Sequence, residues 1–394
     1  MLYFFNVIIL SLSIMSIKIT NPAQCSGCTA CENICGHQAI NMEEDSKGFV
    51  YPHVDADKCT ECGLCERVCP YNRDRDFFNM HFIPQYYAVR CLNPTELFKS
   101  QSGGAFYLLS QKILDDGGVV YGCSFGDYFK VEHHRAQTVE SRDRMRGSKY
   151  VQSDLGDIFS QVKSDLKKGR RVLFSGTPCQ VAGLRSFMGK KQPDNLITID
   201  LLCHGVASPR FWHLYLVMLE NIKGDEIVNV KMRDKKYGWL SSDETYSFRK
   251  SEMHRNTFYS LYYSGYLSRG CCFQCPYANK DRVGDITIGD YHGWNKNHDQ
   301  FTDNTGMSLV IVNSHRGEQL LSCISGDDDV YCEPTDISDT DHVALTSPAK
   351  CPESYDAFWS DLNQHGVKYV CKKYGDMSWR TQLHIKLHNL LVRK

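Results

Sequence analysis

Nineteen cysteines are spread unevenly along this chain of 394 residues. Two runs share one spacing: Cys25-x2-Cys28-x2-Cys31-x3-Cys35, and Cys59-x2-Cys62-x2-Cys65-x3-Cys69 followed by Pro70. Three thiolates at x2 spacing wrap one face of a cubane iron–sulfur cluster. Structural zinc takes Cys/His quartets in two separated pairs, a pattern neither run follows. A second group is dispersed: Cys179 in "GTPCQ", Cys203 in "DLLCHGVASP", and Cys272-x2-Cys275 in "CCFQCPYANKDRVGDITIGDYHGW". Taken singly, such a cysteine is a small buried hydrophobe. Two thiols at strand ends plus a Cys-x2-Cys pair make four, the number one cubane takes.

The elements that must position these thiols read as α/β from Pro84 onward. "GGAFYLLSQKILDDGG" sets Phe106, Leu109, Ile113 and Leu114 on a helical face, and the β-like "VVYGCSF" follows. A second helix is expected from Asp154 as N-cap, with Leu155, Ile158, Phe159, Val162 and Leu166 on one stripe and Gly169 past its end. A strand at 171–174, the Cys179 helix, a strand at 196–202, and a helix capped by Ser208–Pro209 come next. "SLVIVN" and "GEQLLSCI" add one more strand–helix pair. Such alternation favours a parallel or mixed sheet covered by helices. Cys179 and Cys203 each follow a strand, so in a parallel sheet both lie at its carboxyl edge, where ligands gather.

The bulk numbers bound the partners. Basic and acidic residues balance at 45 and 46, which gives no footprint for nucleic acid. An odd cysteine count with x2 spacings points to metal rather than a secreted disulfide framework. A cytoplasmic, oxygen-sensitive protein is therefore expected. The apolar stretch Leu2–Met15 is shorter than the roughly 20 residues that span a bilayer and lacks a basic n-region and cleavage site. It reads as an upstream start with Met15 opening the chain, or as a membrane-surface anchor.

The two regular runs resemble a two-cluster bacterial ferredoxin module over Gln24–Tyr71. That resemblance implies that the fourth cysteine of each run crosses to the other cluster. Cys25, Cys28, Cys31 and Cys69 then hold one 4Fe-4S cluster, and Cys59, Cys62, Cys65 and Cys35 the other. Gly36 departs from the usual proline after the fourth cysteine. Downstream, "SGG" at Ser102–Gly104, "RGSKYVQS" at Arg146–Ser153, "GTPCQVAGL", "LLCHGV" and "CxxC…GDITIGDYHG" together resemble the beta subunit of coenzyme F-420 hydrogenases and dehydrogenases, from about Tyr86 to Asn313. This resemblance implies FAD beside a third 4Fe-4S cluster held by Cys179, Cys203, Cys275 and one of Cys271 and Cys272, with Cys272 favoured by spacing.

An FAD site needs a pyrophosphate seat. The amides of Gly103 and Gly104, after Ser102, precede a helix and are one candidate; the loop of Gly176 and Thr177, ahead of Gln180, is another. No GxGxxG fingerprint follows a strand, so an ordinary dinucleotide fold is not indicated. Arg146 and Lys149, flanking Gly147 and Ser148, supply positive charge for a phosphate or for the flavin's N1–C2=O end. His204 adjoins a presumed ligand and is either a proton carrier or a structural imidazole. Asp290, at the carboxyl end of a strand, is the better site residue; Asp285 caps or turns the chain.

The expected organisation is an apolar segment (1–20), a ferredoxin-like α+β domain (21–75), a larger α/β flavin domain in two parts (84–168 and 169–325) and an extension (326–394). The expected function is oxidoreduction between a ferredoxin or other low-potential donor and an organic acceptor or deazaflavin, alone or beside a partner redox or biosynthetic enzyme. The alternatives are a non-catalytic electron-transfer subunit and a flavin-free iron–sulfur sensor or scaffold. The remaining cysteines, Cys91, Cys123, Cys323, Cys332, Cys351 and Cys371, have no partner at metal spacing.

Overall fold

A computed structural model describes residues 16–19, 21–294, 300–340 and 342–375. The segment Leu2–Met15 lies outside the described residues, as do residues 376–394 of the extension. No helix among the described residues is long and apolar enough to cross a membrane.

The cysteine-rich part is built on an antiparallel pair, β1 (Ile40–Glu44) and β2 (Val50–Val54), joined by a turn in which Gly48 takes φ +82°. Two short helices, Ala30–Ile34 and Leu64–Val68, carry the third cysteine of each run. The rest of the chain supplies β3 (Gln85–Cys91), β4 (Val119–Phe125), β5 (Val131–Ala136), β6 (Val172–Gly176), β7 (Leu196–Leu201), β8 (Ile227–Lys231), β9 (Glu244–Phe248), β10 (Glu252–Arg255), β11 (Ile286–Asp290), β12 (Ser308–Val312) and β13 (Val330–Pro334). Eight of these form one mixed sheet in the order β13-β3-β12-β11-β7-β6-β4-β5. Its centre, β4-β6-β7-β11, is parallel, and antiparallel strands close both sides. The sheet draws on strands from both parts of the expected flavin domain and, through β13, on the extension.

Central strands read as unbroken apolar runs because helices cover both faces. Every residue of β6 and of β12 is buried. Ser208 caps the helix Pro209–Lys223 as expected, accepting from the Phe211 amide. The second helix starts later than its pattern suggested. Its N-cap is Asp157, ahead of Ile158–Lys167. Asp154 instead bridges to β5, where the Asp154 amide bonds the Val131 carbonyl, and its carboxylate takes Lys130. The stripe itself is correct: Leu155, Ile158, Phe159, Val162 and Leu166 are all buried. The three-stranded sheet β10-β9-β8, with no counterpart in the sequence reading, packs beside the helix Pro209–Lys223.

The helix Pro178–Met188 is buried on nearly all sides. One face lies on the sheet; another meets the cysteine-rich part, whose Cys28 and Cys31 share a core with Phe174, Val181, Ala182 and Leu184. Gly183 permits this approach. A Cβ there would stand 2.8 Å from Cys28 Sγ and 2.9 Å from Cys28 Cβ.

Candidate redox site

Two small cavities, each of about 20 Å³, lie in the cysteine-rich part. One is walled by Cys25, Cys28, Cys31 and Cys69, the other by Cys35, Cys59, Cys62 and Cys65. Each run therefore lends its fourth cysteine to the other's group. Backbone amides aim at the sulfurs: Gly27 N–H donates to Cys25 Sγ at 3.4 Å, and Glu61 N–H to Cys59 Sγ at 3.4 Å. Ala39 and Ile17 do the same for Cys35 and Cys65, each at 3.3 Å. Such donors favour the thiolate and its cluster. A soft, four-thiol wall around a void suits an iron–sulfur cluster. Among the described residues, no three Cys, His, Asp or Glu side chains converge on a single-ion position; four sulfurs around a cubane stand farther apart than four around one ion.

The two groups differ in exposure. Cys25, Cys28 and Cys31 are buried, whereas Cys62 is exposed. Burial pushes the Cys28 thiol up to about 12 and the Cys31 thiol well above its ordinary range. Loading a cluster must therefore expel protons from these thiols.

At the sheet, Cys179 and Cys203 follow β6 and β7, which are adjacent and parallel. Both thiols are thus at one carboxyl edge. Cys272 joins them: a Cβ on Gly205 would meet Cys272 Sγ at 3.6 Å, and Gly205 N–H donates to Cys203 Sγ at 3.4 Å. Burial raises the thiol pKa of Cys179, Cys203 and Cys275. Cys271 and Cys272 both lie within electrostatic reach of Cys179. Tyr71 and Tyr277 have ring centroids 6.5 Å apart, and Tyr277 lies within electrostatic reach of Cys179 and Cys275 and of Cys28 and Cys69.

Beside the strand ends opens a cavity of about 240 Å³. Its wall includes Ser102, Gly104, Arg146, Gly147, Ser148, Lys149, Gly176, Thr177 and Gln180, and also Cys203, His204 and Asp290. Gly103 is absent from it. Its role is close packing, since a Cβ would stand 2.2 Å from the Val89 carbonyl oxygen, and its amide donates to Ser308 Oγ. The Gly104 amide is likewise taken, by the Gln101 carbonyl. The expectation that these two amides seat an anion is corrected: both already have protein acceptors. Arg146 is also committed, with Nη1 on Glu96 at 2.5 Å and Nη2 on the Glu96 carbonyl and Ser100 Oγ. It braces the wall rather than offering a free charge. Lys149 Nζ donates to the Met145, Arg146 and Gly147 carbonyls, and burial lowers its pKa.

The Cys179 loop is held by a relay. Gln180 Oε1 accepts from the Thr177 amide and its Nε2 donates to Ser153 Oγ at 2.8 Å. Ser153 Oγ lies 2.9 Å from His133 Nδ1, and His133 Nε2 lies 3.0 Å from the Ser175 carbonyl. A neutral His133 protonated at Nε2 satisfies every link. Burial agrees, lowering its pKa to about 4.

His204 stacks on His342 at 4.9 Å, and His292 lies 5.6 Å beyond. Burial first, and His292 second, lower the His204 pKa, which leaves a neutral ring at pH 7. Asp290 is held by Arg233 at 2.5 Å and by Trp239 Nε1 at 3.1 Å. Burial opposes its charge most strongly, yet the charge and hydrogen bond of Arg233, the Trp239 hydrogen bond and His292 together hold the carboxyl below the usual range. Asp285 is structural, accepting from Thr198, Ser314 and Arg316. Arg233 and His342 carried no signal in the sequence, because each reaches the cavity from a loop distant in the chain; His292 stands in the "GDYHG" motif two residues after Asp290, which drew the attention instead.

Residues 24–73 match the 4Fe-4S dicluster domain, and residues 169–338 match the C-terminal region of the coenzyme F420 hydrogenase/dehydrogenase beta subunit. Over these stretches the chain is similar to that beta-subunit family and to the dicluster domain. It is 22% identical over 323 residues to the F component of the F(420)H(2) dehydrogenase of Methanosarcina mazei, covering 79% of this chain and 85% of that protein. It is 27% identical over 85 residues to a 7Fe ferredoxin of Hydrogenibacillus schlegelii, 22% of this chain and 99% of that one. Among solved structures, one component of the F420-reducing NiFe hydrogenase complex of Methanosarcina barkeri aligns with a TM-score of 0.47 and 15% identity over 75% of this chain and 92% of that one. The protein is an iron–sulfur redox protein related to the components of F420 hydrogenases and dehydrogenases.

Proposed function

We propose that this chain is a cytoplasmic flavin-dependent iron–sulfur oxidoreductase, linking a ferredoxin-type low-potential donor to an organic acceptor or deazaflavin. Its cofactors would be three 4Fe-4S clusters and one FAD. When bound, the clusters pass single electrons and FAD exchanges one or two, which allows hydride chemistry at the acceptor. The observation that carries the reading is spatial order. The exposed Cys62 group, the buried Cys28 group, the Cys179 helix packed on Cys28 at Gly183, and the large cavity succeed one another inward.

In this reading Cys179, Cys203, Cys272 and Cys275 hold the third cluster. The Gln180–Ser153–His133 relay fixes the loop whose Thr177 and Gln180 wall the cavity on either side of Cys179 in the chain. The pyrophosphate seat falls to the Gly147–Ser148 loop, since the amides of Gly103, Gly104, Thr177, Gln180 and Val181 already donate to protein acceptors. Neutral His204 holds or accepts a proton at the reacting end, and the Asp290–Arg233 pair orients a polar acceptor there.

The test is the iron, sulfide and FAD content of anaerobically purified protein. About twelve irons and one FAD per chain are expected from three cubanes; clusters without flavin would sink the flavin assignment. A second reading, a component that only relays electrons to a partner enzyme, is favoured by the name of the M. mazei relative, itself one part of a dehydrogenase. Turnover of the isolated chain with an artificial donor separates the two.

A further inference from the structure

Arg269 is fully buried, and no carboxylate pairs with it among the described residues. The other buried arginines are handled differently. Arg142 pairs with Asp143 and Arg282 with Asp200, while Arg185 bonds carbonyls with Asp285 and Asp200 in electrostatic reach. The ionisable groups in electrostatic reach of Arg269 include Cys25, Tyr51, Cys271 and Cys272. Its Nε donates to the Cys25 carbonyl at 2.8 Å, Nη1 to Gln152 Oε1 at 3.0 Å, and Nη2 to the Val50 carbonyl at 2.8 Å and Cys25 Sγ at 3.7 Å. The guanidinium also lies 4.2 Å from the centroid of Tyr51. A buried cation demands an anion nearby. Among the groups it hydrogen-bonds, the one able to carry negative charge is the Cys25 sulfur. Gln152 completes the clamp, donating its Nε2 to the Ser26 carbonyl, so the fork is fixed on the Cys25 loop.

We infer that Arg269 is the counter-charge of the inner cluster, the one walled by Cys25, Cys28, Cys31 and Cys69, and that it draws the electron inward from the exposed cluster. This rests on the cluster assignment proposed above. The step it biases moves one electron: the outer cluster is oxidised, the inner one reduced, and no proton or covalent bond changes hands. A fixed positive charge favours the more negative, reduced state, and hydrogen bonding to a ligand sulfur acts in the same sense. Arg269 is a positioning and tuning residue and touches no substrate.

The experiment is an EPR-monitored redox titration of the anaerobic full-length protein, with Cys31→Ser and Cys62→Ser assigning the inner and outer signals. Arg269→Gln should shift the electron's partition between the two clusters at least tenfold toward the outer one, about 59 mV for a one-electron couple. Arg269→Lys, which keeps the charge, should recover most of that shift. If Arg269→Gln does not fold, Gln152→Glu makes the same test, since a carboxylate beside the guanidinium should lower the inner potential equally. Iron and sulfide are counted in the same samples. Protein lacking the ferredoxin-type clusters overturns the underlying assignment. Intact clusters with an unmoved inner potential, or equal shifts in the Gln and Lys variants, overturn the inference about Arg269 alone.

Discussion

Gly183→Ala separates a steric requirement from helix propensity. In an exposed helix interior, Ala is better than Gly by about 1 kcal/mol. Here the added methyl would lie 2.8 Å from Cys28 Sγ and 2.9 Å from its Cβ, well inside van der Waals contact. In apo protein the Cys28 side chain is free to turn away, and the propensity gain offsets much of the strain. With four thiols tied to one cluster, Sγ is pinned and the overlap must be relieved by moving the helix. Overpacking of this kind costs about 1–3 kcal/mol. The variant should therefore melt earlier than wild type only when loaded. Its inner cluster should be lost to a chelator faster, by roughly tenfold for each 1.4 kcal/mol expressed in cluster release. Thermal melts of apo and loaded protein, with iron release followed by absorbance, give both numbers. Equal melting and equal release in the loaded forms would show that the helix does not bear on a pinned Cys28.

Three further outcomes are expected. Cys179→Ser should lose roughly a third of the iron, by the three-cubane count, and perturb flavin while sparing the dicluster signals; unchanged iron refutes the third cluster. Asp200→Asn should destabilise by about 3–5 kcal/mol in denaturant titrations, because it strands the buried Arg282 and weakens the bonds from the Val283 and Gly284 amides; a loss below about 1 kcal/mol would contradict this. For His133, the unfolded chain takes a proton near pH 6.5 and the native ring only near 4. Over that window the unfolded state binds more protons, so stability falls as pH drops from about 6.5 to 4, by up to about 3 kcal/mol from this group. His133→Gln should be less stable at pH 7 yet show a shallower acid slope, read from urea midpoints at several pH values.

The dicluster unit is legible from the amino acids alone. Its ligands are local, and a spacing of two or three residues already dictates which sulfurs face a common centre. The eight thiols that wall the two cavities are those of the two runs, and their crossed fourth cysteines are those the ferredoxin resemblance implied. Strand–helix alternation likewise gave the sheet and the edge where Cys179 and Cys203 meet, since both follow adjacent parallel strands. Tertiary structure decided what stands between these parts. Asp154 has good capping chemistry but is taken by a β-bridge and Lys130, a competition the local sequence does not disclose. "SGG" looked like an anion seat, yet Gly103 is needed because the Val89 carbonyl and the Ser308 amide crowd its Cα. His342, His292 and Arg233 reach the cavity from separate loops, and Arg269 reaches Cys25 across most of the chain. Short spacing encodes a metal's first ligands, because coordination geometry is local. Charge compensation, close approach and cavity shape depend on residues that only the folded sheet brings together.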